Sequence, residues 1–162
     1  MNKIFLFILF IFFYKPLFSL EILCKFEEVY YNGQTNNGFI LIKENKLRYE
    51  YAAKNLFGLL LIEEQLYYYD NFDYKNIKKT NQNKELVTQL LEIFKKYPNI
   101  DNSYTVENFD IAIEKSKSAE FIYRLFVKSE KLNLSIYFND CSEEPINDIF
   151  FKKNPVIRYY LK

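Results

Sequence analysis

Histidine is missing altogether from the 162 residues, tryptophan is missing too, and glycine occurs only three times. Without histidine the usual general base, the Ser-His-Asp arrangement and most catalytic zinc sites are excluded. Three glycines are too few for a glycine-rich phosphate loop. An excess of one charge is also missing, with 22 Lys and Arg against 21 Asp and Glu. That balance argues against a nucleic-acid partner, which demands clustered cations. Paired acids do occur, at Glu27-Glu28, Glu63-Glu64 and Glu143-Glu144. Neighbours on a strand point to opposite faces and neighbours at a turn meet water, so each pair reads as solvated charge rather than as acid–base machinery. Asp70, Asn71 and Asp73 could offer oxygens to calcium, but no glycine-bearing ligand loop surrounds them, and turn-forming residues are the better reading. The expectation is a protein that is not an enzyme and holds no metal or cofactor.

What is present begins with an export signal. Met1 to Lys3 is a short basic start, Ile4 to Phe13 is an unbroken apolar run, and Leu17-Phe18-Ser19 ends in a small residue before Glu21. This is the polarity order of a secretory signal peptide. The apolar run stops well short of the ~20 residues that cross a bilayer as a helix. Cleavage is expected after Ser19, with an uncleaved anchor as the alternative. A lipid-modified Cys24 is disfavoured because bulky Leu23 precedes it. Loss of residues 1–19 removes Lys3 and Lys15 and takes the formal net charge from +1 to −1. Residues 20–162 then make one domain of ordinary size, with no linker, repeat or low-complexity stretch to divide it.

Cys24 and Cys141 are the only cysteines. Export to an oxidising compartment makes a disulfide between them plausible, and two buried thiols that never meet are the alternative. The 17 Phe and 15 Tyr suggest an apolar cavity. The chain's bias toward Asn, Lys and Ile suggests instead that compositional drift has filled ordinary core positions with aromatics.

Periodicity predicts a mainly β fold. Leu23 to Tyr31 reads as a strand ending at the turn Asn32-Gly33, followed by Gly38 to Lys43 and the turn Glu44-Asn45. From Lys46, the alternation puts Leu47, Tyr49 and Tyr51 on one face and Lys46, Arg48 and Glu50 on a wet outer face. Leu59 to Ile62 and Leu66 to Asp70 form a hairpin about Glu63-Glu64-Gln65, and a strand is expected within Phe72 to Lys79. The period then changes. Leu86, Leu90 and Phe94 recur at fourfold spacing, with Val87 and Leu91 alongside, which predicts an amphipathic helix over 83–97 with Asn83 as cap and Pro98 as stop. Strands resume at Phe109 to Glu114, Phe121 to Lys128 and Leu132 to Asn139, and a last hairpin is expected from Ile149 to Lys152 and Val156 to Leu161. The economical arrangement is an antiparallel, strongly curved, incomplete β-barrel with the helix covering its concave face.

Gly38-Phe39-Ile40-Leu41-Ile42-Lys43, Lys46-Leu47-Arg48-Tyr49-Glu50-Tyr51 and Leu61-Ile62 with Leu66-Tyr67-Tyr68-Tyr69-Asp70 resemble the strands of the LolA-type periplasmic lipoprotein carriers. Tyr123 to Lys128 and Ile136-Tyr137-Phe138 are similar to that family's second-half strands, and Leu86 to Leu91 lies where it has a Leu-rich helix. The resemblance covers about 120 residues. It implies a periplasmic carrier, working as a monomer, that holds lipoprotein acyl chains in a hydrophobic cavity between the inner and outer membranes. The implied partners are acylated lipoproteins, an inner-membrane lipoprotein-release complex and an outer-membrane acceptor. Lys43 is followed by Glu44-Asn45 where the family usually has Arg-Pro, so the cavity transfers and the means of holding its lid closed does not.

On this reading Leu47, Tyr49, Tyr51, Leu86, Leu90, Phe94, Ile136 and Phe138 line a pocket for acyl chains, with tyrosine hydroxyls near its mouth. The other class of function compatible with the sequence is a non-catalytic periplasmic interaction or sensor module on the same fold. A tightly packed interior would favour it.

Overall fold

The computed structural model describes residues 20–53, 57–70, 77–115 and 121–153. The leader 1–19, the calcium-type residues Asn71 and Asp73 and the expected strand Val156 to Leu161 lie outside them. In chain order the elements are β1 (Glu21–Tyr30), β2 (Thr35–Lys43), β3 (Lys46–Tyr51), β4 (Phe57–Ile62), β5 (Gln65–Asp70) and β6 (Lys78–Thr80). There follow the helix α1 (Lys84–Lys95), then β7 (Ser103–Val106), β8 (Phe109–Lys115), β9 (Ile122–Lys128), β10 (Asn133–Ser142) and a 3-10 turn, Asp148–Phe151.

All ten strands join one antiparallel sheet in the order β6-β5-β4-β3-β2-β1-β10-β9-β8-β7. It consists of two meanders, β1 to β6 and β7 to β10, sealed where β10 pairs with β1. The sheet is not closed: β6 and β7 are its two edges. The chain passes from one edge to the other through α1, whose buried Leu86, Val87, Leu91, Ile93 and Phe94 belong to the same apolar cluster as one face of the sheet. A 12-residue helix is about 18 Å long, enough to carry the connection across several strands.

The two faces are sorted by the period of two. Ile22, Cys24 and Phe26 of β1, Ile40 and Ile42 of β2, and Leu134, Ile136 and Phe138 of β10 join the helix-side cluster. The opposite face carries a smaller core, Leu41, Leu60 and Tyr69, covered by Ile146 and Phe151 from the segment after β10. At the β1–β10 seam a bulge lies between Leu23 and Lys25. There Cys24 and Cys141 are bonded as a disulfide, with Cα atoms 4.1 Å apart.

Three local expectations need correction, and one strand was not expected. Lys46, Arg48 and Glu50 do not share a wet face: Arg48 and Glu50 are 1% and 2% exposed, because residues 146–151 fold back over that side of β3. Ile149 to Lys152 is not a strand but falls largely in the 3-10 turn, whose start is capped by Asn147 Oδ1 accepting from the Ile149 amide. Asn83 precedes α1 but does not cap it; its backbone is left-handed (φ 57°) and its side chain makes no cap hydrogen bond. Ser103 to Val106 is a strand the periodicity did not announce, since only Val106 of its four residues is buried.

Candidate functional site

Both faces of β3 carry polar clusters set in apolar surroundings, and the eight residues expected to line a cavity lie on the helix side. Leu47 and Tyr51 of β3, Leu86 and Phe94 of α1, and Ile136 and Phe138 of β10 are buried in one cluster, with half-buried Tyr49 and Leu90 packed against it. Phe94 ties helix to sheet, its ring centroid 6.1 Å from that of Phe138. Beside this layer, between the N-terminal end of α1 and the β4–β6 edge, runs an open groove of about 530 Å³. Its lining is Phe57, Leu59, Leu66 and Tyr68, with Lys78, Lys79, Thr80, Gln82 and Asn83, so none of the eight expected residues contributes to it. An aromatic chain nevertheless joins the two regions, Tyr51 to Phe57 at 5.1 Å and Phe57 to Tyr68 at 5.2 Å.

At the inner end of that chain sits Glu28, only 2% exposed. Its Oε1 accepts from the Tyr49 hydroxyl at 2.6 Å and the Tyr51 hydroxyl at 2.8 Å, and its Oε2 from the Tyr30 hydroxyl at 2.8 Å and again Tyr51 at 2.9 Å. A buried carboxylate is tolerated when its lone pairs are filled, and three phenols fill them here. Burial, and then the negative charge of Glu28, push the Tyr49 and Tyr51 hydroxyls well above the usual phenol range. The cluster thus consists of donors that stay protonated. Gly38 makes the aromatic packing possible: any Cβ there would overlap the Phe26 ring and the Glu50 carbonyl. Phe26, opposite Gly38 in the register, lies across it and stacks on Tyr49 at 4.0 Å.

The reading of Glu27-Glu28 as solvated charge therefore holds for exposed Glu27 and fails for Glu28. The signal was in the alternation, since Glu28 shares its parity with Cys24 and Phe26. Glu63, Glu64, Glu143 and Glu144 are exposed.

Across the sheet, Arg48 and Glu50 form a buried ion pair. Arg48 Nε donates to Glu50 Oε2 at 3.0 Å, Nη2 lies 3.0 Å from the same oxygen, and the Tyr69 hydroxyl donates to it at 2.9 Å. The geometry repeats that of the other face. Gly58 clears the way for the Tyr69 ring, which passes over β4 to reach β3. Arg48 Nη1 also donates to the Phe150 carbonyl at 2.8 Å, so the ion pair anchors the segment that covers it. Two further ties hold that segment: Lys43 Nζ donates to the Ile146 carbonyl at 2.7 Å and the Ile146 amide donates to Glu21 Oε2 at 2.6 Å. This side is a clasp that closes the second face.

Among the described residues no group of three or more Cys, Asp or Glu side chains is placed to hold a metal ion, and no helix is long and apolar enough to cross a membrane. Comparison with protein-family models and with curated proteins finds no match to this chain.

Proposed function

We propose that the protein is a periplasmic carrier that binds lipoprotein acyl chains on the helix-side face and moves them from the inner to the outer membrane. In this reading the open sheet curls as an incomplete barrel, α1 covers its concave face, and Leu47, Tyr49, Tyr51, Leu86, Leu90, Phe94, Ile136 and Phe138 receive the chains when α1 shifts. The protein works as a monomer, taking its cargo from an inner-membrane release complex and handing it to an outer-membrane acceptor. No bond is made or broken, so no catalytic group is required.

The observation that carries the reading is the groove beside α1. It opens next to the larger of the two apolar clusters among the described residues, its sheet-side floor is Phe57, Leu59, Leu66 and Tyr68, and its volume suits one small apolar ligand. The test is organic extraction and mass spectrometry of protein isolated gently from an exported fraction, paired with titration by a fluorescent acyl probe. Co-purified acyl species and saturable binding support the carrier. Wild-type protein that binds no acyl probe, where a known carrier does, overturns it.

One observation favours a second reading, a non-catalytic interaction or sensor module: six of the eight expected cavity residues are packed at 9% exposure or less. Leu90→Glu separates the two. In a carrier it weakens acyl binding by bringing charge to the apolar site. In a solid core, melting shows a loss of fold stability with no binding to lose.

A further inference from the structure

We infer that the groove at the β4–β6 edge selects a single-chain amphiphile with an anionic head, the chain lying on Phe57, Leu59 and Tyr68 and the head meeting Lys78. The inference rests on the acyl-binding reading of the helix-side face and adds a polarity to it. Its basis is the sheet register. Tyr68 pairs with Lys78 and Leu66 with Thr80, and cross-strand partners share a face. The Lys78 stem therefore rises on the side of the sheet that carries the apolar floor, with its ammonium at the exposed rim. A lysine in this position covers apolar surface with its methylenes and presents its charge at the end.

Among the described residues that line the groove, the charged ones are Lys78 and Lys79. Neither lysine has an ion-pair partner among the described residues. Glu85 and Glu107 line a separate depression that shares Asn83 with the groove. Gln82 and Asn83, at the entry to α1, line the groove as well, and α1 has no side-chain cap there. The positive end of the helix dipole adds to the same preference. At about 530 Å³ the groove accommodates one chain. A lysine recognises an anion as a point charge rather than by a bidentate fork, so a fatty-acid carboxylate and a lysolipid phosphate share the required chemistry.

The experiment uses the disulfide-bonded protein and four C16 probes below their micelle concentrations: the fatty acid, its methyl ester, a lysophosphatidic acid and a trimethylammonium amphiphile. The acid, the lysophosphate or both should bind about fivefold tighter than the ester, the size expected of exposed charge pairs, and the cationic probe should bind more weakly than the ester. High salt should erase the preference. Lys78→Gln should shrink it while leaving ester affinity unchanged, and Leu59→Asp should weaken every probe. The stronger of the two anions identifies the natural head. An ester that binds as tightly as both anions, or a preference untouched by Lys78→Gln, overturns the inference and leaves the carrier reading standing. Failure of every probe, ester included, overturns both.

Discussion

Glu28 is the residue whose chemistry most directly tests the interior. Replacing it by Ala removes the carboxylate that accepts from the Tyr30, Tyr49 and Tyr51 hydroxyls, and a buried donor left unsatisfied costs about 1–3 kcal/mol. Glu28→Ala should therefore lower stability by about 2–4 kcal/mol in urea, with an unchanged denaturant slope. The same cluster makes stability depend on alkaline pH. Tyr49 and Tyr51 are raised in the folded state, first by burial and then by Glu28, whereas in the unfolded chain they titrate near 10. The unfolded state therefore loses its protons first as pH climbs. Their contribution is complete below about pH 10 and is lost progressively above it. Urea titrations between pH 8 and 11.5 should show this fall, and Glu28→Gln, which removes the lesser of the two causes, should leave most of it in place. A flat profile in the parent protein would contradict the buried arrangement.

Individual elements carry their own conflicts. The β4–β5 hairpin turns on Glu63 and Glu64, both left-handed at φ 50° and 57°, the two central positions of a turn that favours Asn-Gly. A side chain with a Cβ is strained in that region. The double change E63N/E64G is exposed and should raise stability by about 1 kcal/mol, read as a higher melting temperature at unchanged secondary structure. The clasp on the opposite face should respond in the other direction. Arg48→Ala leaves Glu50 buried without its cation, at a cost of about 3–5 kcal/mol. It also removes the Arg48 hydrogen bond to the Phe150 carbonyl. Hydrogen exchange should accelerate over 146–151 more than over α1. Equal acceleration in the two segments would show that Arg48 does not anchor the clasp.

For the whole molecule, the seam between the two meanders matters most. Among the described strands only the β1–β10 pairing joins the halves of the sheet, and the Cys24–Cys141 disulfide closes a sequence separation of 117 residues across it. A loop of that length restricts the unfolded chain by about 2–5 kcal/mol. The double variant Cys24→Ser/Cys141→Ser should lose stability in that range, and reductant should lower the melting temperature of the parent while leaving the variant unmoved. A parent protein indifferent to reductant would show that the seam stands on strand pairing alone.

The sequence by itself determined what is local. Alternation, apolar runs and turn residues located nine of the ten described strands in whole or part, fourfold spacing located α1, and the parity of Leu47, Tyr49 and Tyr51 assigned them to the face they occupy. Tertiary structure decided what covers each face. Arg48 and Glu50 alternate as a solvent-facing pair should, and they are buried because a segment about a hundred residues later returns to lie over them. Glu28 shares the parity of Cys24 and Phe26, but its acceptability inside depends on three hydroxyls, two of them arriving from β3. The groove follows the same rule, its floor supplied by β4 and β5 and its rim by β6 and the entry to α1. A period of two tells which residues point together, while burial is set by chain that the period does not reach.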